Sequence, residues 1–191
     1  MDNVFIIMNE LKKVSEEISA TNPYWTYKHD VYELPGGKVK DYYYGENHGS
    51  VMIVPLLDDG RVVLVNQRRY LRGKVSTEFP CGGLEKNEAA PNGAERELLE
   101  ETGYRSSNFV KLGSYDGLIG LFKDTTHVFV ADELNLVGAP TPDETEDLEI
   151  IYRRIDELET MIKRGEIWSG QTLAAWALAR DYVLGKTAGR S

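Results

Sequence analysis

The stretch GGLEKNEAAPNGAERELLEETGY, Gly82–Tyr104, joins a glycine-rich beginning to a helical pattern that is dense in glutamate. Asn92 is suited to cap a helix over about Gly93–Thr102, with Glu95 three residues later as in a capping box. Gly103 suits the left-handed conformation in which many helices end. The stretch therefore predicts a short helix that carries an unusual density of negative charge.

Three of these glutamates lie on one side of the helix. Because side chains three and four positions apart are neighbours, they fall within an arc of about 100°: Glu97, Glu100 and Glu101. Carboxylate oxygens grouped in this way suit a hard divalent cation such as Mg²⁺ or Mn²⁺. Arg96 is placed to hold one carboxylate through a bidentate pair, and Glu88 to brace Arg96. Taken alone, the glutamates fit a solvated acidic helix face at least as well.

The whole chain has a globular composition with an excess of acidic residues. Its 191 residues favour one compact domain with a small appendage. Lys+Arg 22 against Asp+Glu 31 gives a net charge of −9, which argues against a nucleic-acid surface. The single cysteine, Cys81, excludes an internal disulfide and fits a reducing compartment. Since neither a signal-peptide pattern nor a membrane-spanning apolar run is present, we expect a cytoplasmic protein with no membrane partner.

The first part of the chain predicts a helix and two β-hairpins. A helix is expected over Asn3–Ser19 because apolar residues recur there at spacings of three and four: Val4, Ile7, Leu11, Val14 and Ile18. VYEL and KVKDYYY flank a Pro-Gly-Gly turn and predict one hairpin. SVMIVPLL and RVVLVNQ, separated by Asp-Asp-Gly, predict a second hairpin of more buried strands.

Strands and helices both continue to the end of the chain. Further strands are expected at VKLGSYD, TTHVFVA and LEIIYRR. Two closing helices are expected, IDELETMIKRG with Asp156 as its cap and the largely apolar QTLAAWALARDYVL. Strands and helices without regular alternation predict an α+β fold. We divide the chain into a helix and strand segment, residues 1–48, and a main domain, residues 49–191.

The spacing of fixed residues in the acidic stretch resembles the Nudix box. Every fixed position of that motif is filled. Gly82 is followed after five residues by Glu88, and Glu88 is followed after seven residues by RELLEETGY, Arg96–Tyr104. The chain therefore resembles the Nudix hydrolases, with residues 49–191 as the Nudix domain. The resemblance implies an α/β/α sandwich with a mixed β-sheet, preceded here by the short helix and hairpin segment.

The same resemblance implies roles for the box residues. The family cleaves nucleoside diphosphates linked to another group, using divalent metals held by the box. It implies Mg²⁺, with Mn²⁺ as the alternative, and these ligands: Glu97, Glu100, Glu101 and the backbone carbonyl of Cys81. The Cys81 thiol then needs no chemical role. Arg96 is expected to belong to the catalytic set.

Two patterns outside the box resemble the ADP-ribose and nucleoside diphosphate sugar pyrophosphatases of this family. QRRY, Gln67–Tyr70, and EFPCG, Glu78–Gly82, are similar to their Q-x-R and E-L-P-A-G signatures. The resemblance implies that Arg69 and Glu78 bind substrate. A surface arginine at the end of a strand is the other interpretation of the first pattern.

An acidic segment after the central strands resembles the loop that carries the general base in these enzymes. In PTPDETEDLEI, Glu144 aligns best with that base and Glu146 is the alternative. A solvated acidic loop is the competing interpretation. The loop GLIGLF, Gly117–Phe122, is a candidate to lie near the sugar or phosphate.

The aromatic residues before the main domain fit the same group of enzymes, in which this segment forms a dimer and contributes to the base-binding pocket. Trp25, Tyr27 and Tyr43 are therefore candidates to stack on a nucleobase, although ordinary packing is the alternative for each. By resemblance, we expect a homodimer that acts on a small nucleoside diphosphate sugar. The three histidines have no partners at metal-ligand spacing: His29, His48 and His127.

These residues favour hydrolysis of the diphosphate bond of ADP-ribose to AMP and ribose 5-phosphate. A second hypothesis keeps the box and changes the substrate to a GDP-sugar, a dinucleoside polyphosphate or a nucleoside triphosphate. A third is a non-catalytic nucleotide-sugar sensor. The complete set of box glutamates and the lack of a basic helix-turn-helix pattern argue against the sensor.

Overall fold

The computed structural model describes residues 11–142 and 147–188. The described strands are β1 (Lys12–Thr21), β2 (Thr26–Glu33), β3 (Val39–Glu46), β4 (Ser50–Pro55), β5 (Val62–Arg69), β6 (Lys74–Glu78), β7 (Cys81–Gly83), β8 (Tyr104–Asp116), β9 (Phe122–Lys123), β10 (Thr125–Leu136) and β11 (Leu148–Arg153). The described helices are α1 (Ala90–Thr102), α2 (Ile155–Lys163) and α3 (Gly170–Ala188), with a 3-10 turn at Tyr70–Arg72. Across these ranges, no helix has both the length and the apolar character needed to span a membrane.

The chain divides into two compact units. The first contains the described residues up to Asn47 together with Leu118–Lys123, and the second contains the rest. Residues 49–191 were expected to form the main domain as one piece. The structure instead assigns Leu118–Lys123, most of the GLIGLF loop, to the first unit.

The first unit is a four-stranded sheet in the order β1-β2-β3-β9. β2 and β3 pair antiparallel from Thr26 opposite Glu46 to Glu33 opposite Val39. Gly36 and Gly37 between them have φ of 100° and 85°, the left-handed region that glycine enters without strain. The hairpin predicted at this Pro-Gly-Gly turn is therefore confirmed.

The helix predicted over Asn3–Ser19 is wrong in its described part, because β1 begins at Lys12 and pairs antiparallel with β2. Residues 3–10 lie outside the described residues. Two register irregularities, between Lys13 and Ser15 and between Ile18 and Ala20, interrupt the alternation that normally marks a strand. The apolar spacing of three and four therefore does not describe a buried helix face. Val14 and Ile18 are 54% and 61% exposed.

The second unit is built on a central sheet in the order β7-β4-β10-β8, accompanied by a three-stranded sheet in the order β11-β5-β6. β4 and β10 run parallel, whereas β4 is antiparallel to β7 and β10 to β8, so the central sheet is mixed. Successive β4 side chains point to opposite faces. Val51 and Ile53 join a buried cluster with α1 residues, and Met52 and Val54 join one with α2 and α3 residues. The predicted α+β class, with a mixed sheet between helical layers, is confirmed.

In the predicted hairpin of SVMIVPLL and RVVLVNQ, both strands and the reversal between them are present, but the pairing expected along the strands is wrong. The segments meet beside the turn, through the antiparallel bridge of Leu56 with Val62 and a bond of 2.9 Å from the Leu57 N–H to the Arg61 carbonyl, and β4 and β5 then belong to different sheets. Five of the six β4 residues and five of the eight β5 residues are buried. Because buried backbone N–H and C=O groups need hydrogen-bond partners, such strands are paired on both edges, β4 by β7 and β10, and β5 by β6 and β11.

Helix α1 begins three residues before the expected start, at Ala90. Its N-cap is Ala89, which makes no side-chain cap bond, so the predicted capping box of Asn92 and Glu95 is wrong. Proline in the first turn explains the earlier start, because its missing N–H costs nothing there. Gly103 ends the helix at φ 72°, as predicted.

Both closing helices are confirmed, with one change at the first. The N-cap of α2 is Arg154, whose backbone N–H donates to the Glu157 carboxylate at 2.9 Å, so the prediction of Asp156 as the cap is wrong. Asp156 lies in the first turn, where its carboxylate accepts two bonds of 2.9 Å from the Arg154 guanidinium. A carboxylate there also interacts favourably with the helix dipole.

Candidate active site

A short strand and the helix that follows it form the candidate site. β7 is the edge strand of the central sheet, and Gly82 lies opposite Val51 of β4. A loop then leads to α1, which packs against β4, β7 and β8. This arrangement turns one face of the acidic helix toward the backbone of β7.

Two of the three glutamates that were predicted as metal ligands are buried on that face. Glu97 and Glu101 are 8% and 2% exposed. A carboxylate oxygen of Glu101 accepts a hydrogen bond from the backbone N–H of Cys81 at 3.1 Å. A Cβ atom at position 82 would lie 2.0 Å from Oε1 of Glu97. Only glycine fits at position 82 with Glu97 in this position, because any side chain there would displace the Glu97 carboxylate.

Arg96 connects the remaining acidic groups of the box. Its guanidinium binds Glu88 in a bidentate pair of 3.0 and 2.9 Å, as expected for a brace. It also donates to Glu97 at 2.6 Å, to Glu100 at 3.1 Å and to the Gly83 carbonyl at 3.0 Å. The bond from Arg96 lowers the pKa of Glu88. One arginine thus fixes both the loop and the helix.

The donor set fits a hard divalent cation in chemistry and in charge. Glu88, Glu97, Glu100 and Glu101 carry four negative charges and Arg96 carries one positive charge, which leaves this set at −3. The side-chain donors are all carboxylate oxygens, the type that Mg²⁺ and Mn²⁺ prefer. Within residues 11–142 and 147–188, no three acidic, His or Cys side chains already converge as a metal site. Arg96 instead bonds to two of the predicted ligands.

A second ion pair lies beside the box strand. Arg69, the last residue of β5, donates from Nε and Nη2 to Glu78 of β6 at 2.9 and 2.5 Å. The Glu78 side chain is 3% exposed and that of Arg69 is 37% exposed. The bond to Glu78 raises the pKa of Arg69. The two predicted substrate-binding residues are therefore held together, with the guanidinium partly open to solvent.

Cys81 contacts Arg69 through its side chain and Glu101 through its backbone. Its Sγ is 3.9 Å from Nη2 of Arg69, and its backbone N–H binds Glu101. Burial of the thiol, followed by the negative charges of Glu101 and Glu78, raises its pKa well above the ordinary value. A thiol that stays protonated is a poor nucleophile, which agrees with a structural side chain at this position.

The predicted base-stacking residues Trp25, Tyr27 and Tyr43 belong to the first unit and are 41%, 38% and 52% exposed. The Tyr27 and Tyr43 rings are stacked with centroids 6.3 Å apart. Their contribution to base binding stays a prediction. Glu144 and Glu146 lie outside the described residues.

A row of hydroxyl groups near this site was missed by the sequence analysis. Ser50, Thr126 and Tyr115 lie side by side on β4, β10 and β8. Each strand had been expected, but the residues that face one another depend on the strand order and register. These residues come from three distant parts of the chain, so no local pattern indicates their proximity.

Comparison with known proteins places this chain in a family. The model of the NUDIX domain matches residues 46–176. The ADP-ribose pyrophosphatase of Bacillus subtilis is 31% identical over 150 residues, which cover 78% of this chain and 80% of that protein. The CMP-5'-(N-acetyl-N-hydroxy-3-aminopropyl)phosphonate hydrolase of Streptomyces rubellomurinus is 30% identical over 147 residues, or 76% of this chain and 71% of that protein.

The fold comparison agrees with the family match. The crystal structure of an ADP compounds hydrolase aligns with a TM-score of 0.82 over 96% of this chain and 98% of the other, at 21% identity. The matched segment contains the whole Gly82–Tyr104 stretch and the buried glutamates of α1. This chain therefore belongs to the NUDIX-domain family, as the spacing of its box indicates.

Proposed function

We propose that this NUDIX hydrolase cleaves the diphosphate bond of a nucleoside diphosphate sugar in the presence of Mg²⁺, with ADP-ribose as the preferred substrate. The products are then AMP and ribose 5-phosphate. The observation that carries the proposal is the burial of Glu97 and Glu101 against the β7 backbone, beside the Arg69–Glu78 pair. Similarity to an ADP-ribose pyrophosphatase supports the choice of substrate.

The carboxylates supply the metal-binding part of the proposed site. Glu97, Glu100, Glu101 and the Cys81 carbonyl would hold Mg²⁺, or Mn²⁺ as the alternative. When bound, such an ion neutralises phosphate charge and makes a coordinated water more acidic. Because the acidic set carries −3, it binds a phosphate group poorly without an added cation.

The remaining roles belong to arginine and to a general base. Arg69 neutralises charge on the diphosphate and orients it, since Glu78 fixes its guanidinium through two bonds. Arg96 holds the loop and the helix in register through Glu88 and Gly83. Glu144, with Glu146 as the alternative, accepts the proton of the attacking water. At the attacked phosphorus, one P–O bond forms to the water oxygen and one P–O bond of the diphosphate breaks, while the water proton passes to the general base.

Initial rates on a panel of substrates test the proposal. We expect the highest kcat/KM on ADP-ribose, lower values on GDP-mannose and UDP-glucose, the lowest on a nucleoside triphosphate, and loss of turnover in EDTA. Preferred hydrolysis of GDP-mannose would support the GDP-sugar hypothesis instead. Tight ADP-ribose binding without Mg²⁺-dependent turnover would support the sensor.

We also propose a cytoplasmic homodimer that associates through the first unit. β1 is an edge strand of ten residues, each of them exposed, and among the described residues it pairs on one side only, with β2. A long open edge is a ready site for pairing with another chain. Sedimentation equilibrium should give twice the monomer mass; a monomer at all concentrations would contradict this part. The unpaired Cys81 fits a reducing compartment.

A further inference from the structure

A chain of hydroxyl groups crosses one end of the central sheet. Ser50 of β4 lies opposite Thr126 of β10, which lies opposite Tyr115 of β8. The Ser50 and Thr126 hydroxyl oxygens are 2.8 Å apart, and Tyr115 is the residue directly opposite Thr126 on the neighbouring strand. The phenol donates in turn to the backbone carbonyl of Gln171 at 3.3 Å. The four groups form one continuous row that ends at the first turn of α3.

This row lies on the side of the sheet where the box strand places Cys81. β7 pairs with β4 so that Gly83 lies opposite Ser50. Cys81 and Tyr115 both pack against the same buried cluster, which contains Trp176 of α3. Arg69 reaches this side too, because its Nη2 lies 3.9 Å from the Cys81 sulfur. The phenol and the arginine therefore border the same part of the second unit.

The surroundings of Tyr115 make its hydroxyl a neutral donor whose proton has a defined direction. Burial raises the pKa of the phenol to about 12, so it stays protonated at neutral pH. The phenol donates to the Gln171 carbonyl, so its proton points toward the first turn of α3. At 3.3 Å, the bond to the Gln171 carbonyl is longer than most O–H···O bonds. A shorter bond to an anionic oxygen can replace it at little cost.

We infer that Tyr115 contacts the substrate and donates its hydroxyl hydrogen to an anionic oxygen of the diphosphate, on the side of the site where Arg69 lies. This inference rests on the proposed function, since it requires a nucleoside diphosphate in the site. The phenol adds a hydrogen bond without adding charge, so it complements the Arg69 guanidinium rather than competing with it for Glu78.

Replacing Tyr115 by phenylalanine tests the contact, because the ring and its packing are kept and only the hydroxyl is lost. With Mg²⁺ present, Tyr115→Phe should raise both KM for ADP-ribose and the inhibition constant of ADP roughly tenfold. We expect kcat to stay within about twofold, since the contact is made in the bound substrate and in the transition state alike. ADP carries the diphosphate but no terminal sugar, so it reports on the diphosphate alone.

Tyr152→Phe is the matched control. Tyr152 is another half-buried phenol of the second unit, and its hydroxyl lies 3.4 Å from that of Tyr104, beside the cluster that packs on α1. This variant should keep wild-type KM and inhibition constant. An equal change in both variants would overturn the inference, because it would show a general effect of removing a buried hydroxyl.

Two other results would also overturn the inference while leaving the proposed function intact. The first is unchanged KM and inhibition constant in an active Tyr115→Phe enzyme. The second is an increase in KM alone, which would place the contact on the sugar. If the wild-type protein hydrolyses no nucleoside diphosphate sugar, the proposed function fails instead. Calorimetric titration of ADP with Mg²⁺ then tests Tyr115 directly, and equal affinities in wild type and Tyr115→Phe would refute the contact.

Discussion

Helix α1 and the loop before it carry glutamates in two different surroundings. On the inward face, Glu97 and Glu101 are 8% and 2% exposed and lie against the backbone of β7. On the outward side, Glu95 and the loop residue Glu85 are exposed to solvent. A carboxylate that stays in water loses no hydration and contributes little to stability. A buried carboxylate loses its hydration, and hydrogen bonds or opposite charges must offset that cost in free energy. The difference teaches that burial separates Glu97 and Glu101 from the acidic surface, whereas the Glu100 side chain is 41% exposed and is held to the site by its bond with Arg96.

Removing one inward charge is expected to have the largest effect. Glu101→Gln should lower kcat on ADP-ribose by more than about a hundredfold. In metalloenzymes generally, removing a residue that only supports a metal ligand already lowers activity by up to about a hundredfold. Glu95→Gln removes the same charge from the outward face and should keep wild-type kcat. Steady-state assays with Mg²⁺ compare the two variants. Near-normal activity of Glu101→Gln would show that burial does not mark the metal site.

Two neighbouring glycines provide the second test. In Gly82→Ala the new methyl group would lie 2.0 Å from Oε1 of Glu97, whereas at Gly83 it would meet no atom within 4 Å. Because Glu97 can swing aside, the fold should survive Gly82→Ala while kcat falls at least about tenfold, as expected for a misplaced catalytic group. Gly83→Ala should keep most of its activity.

Kinetics and circular dichroism of the same two preparations separate activity from folding. Equal kcat in Gly82→Ala and Gly83→Ala would mean that the position of Glu97 is unimportant. Loss of folding in Gly82→Ala alone would mean that the close approach serves stability instead.

A smaller effect is expected on thermal stability. Mg²⁺ at about a hundred times its Kd should raise Tm by roughly 5–10 °C, since a ligand that binds only the folded state stabilises it by mass action. The increase should fall by about half or more in Glu97→Gln and persist in Glu95→Gln. Differential scanning calorimetry with and without EDTA measures it. An undiminished increase in Glu97→Gln would place the ion elsewhere.

The proximity of the box residues could be predicted because they are close in sequence, while their roles stay predictions. Gly82, Glu88, Arg96 and the box glutamates lie within 23 consecutive residues, so a fixed spacing of residue types fixes their geometry. The Arg96–Glu88 pair follows from that spacing. The bonds from Arg96 to Glu97 and Glu100 do not, because they depend on rotamers that sequence does not specify.

The fold was predicted less evenly. Strongly apolar strands such as β4 and β10 were recognised, and a turn sequence located the β2–β3 hairpin. The partners of β4 and β5 were mistaken, because pairing between distant strands leaves no local mark. β1 was mistaken for a helix because its residues are exposed and its pattern is interrupted by two register irregularities. The row from Ser50 to Tyr115 was missed for the same reason as the pairing of β4.

The first unit is made from two separate pieces of chain, and this has a practical consequence for recombining such proteins. Phe122 of the second piece occupies the space where a Cβ of Gly45 would lie, and its ring centroid is 6.0 Å from that of Trp25. A fragment that ended at residue 47 would lack β9, and Gly45 and Trp25 would lose their contact with Phe122. A chimaera that exchanges the amino-terminal segment between relatives must therefore transfer Leu118–Lys123 as well. The alternative is a relative whose own residues at these positions already pack against the transferred segment.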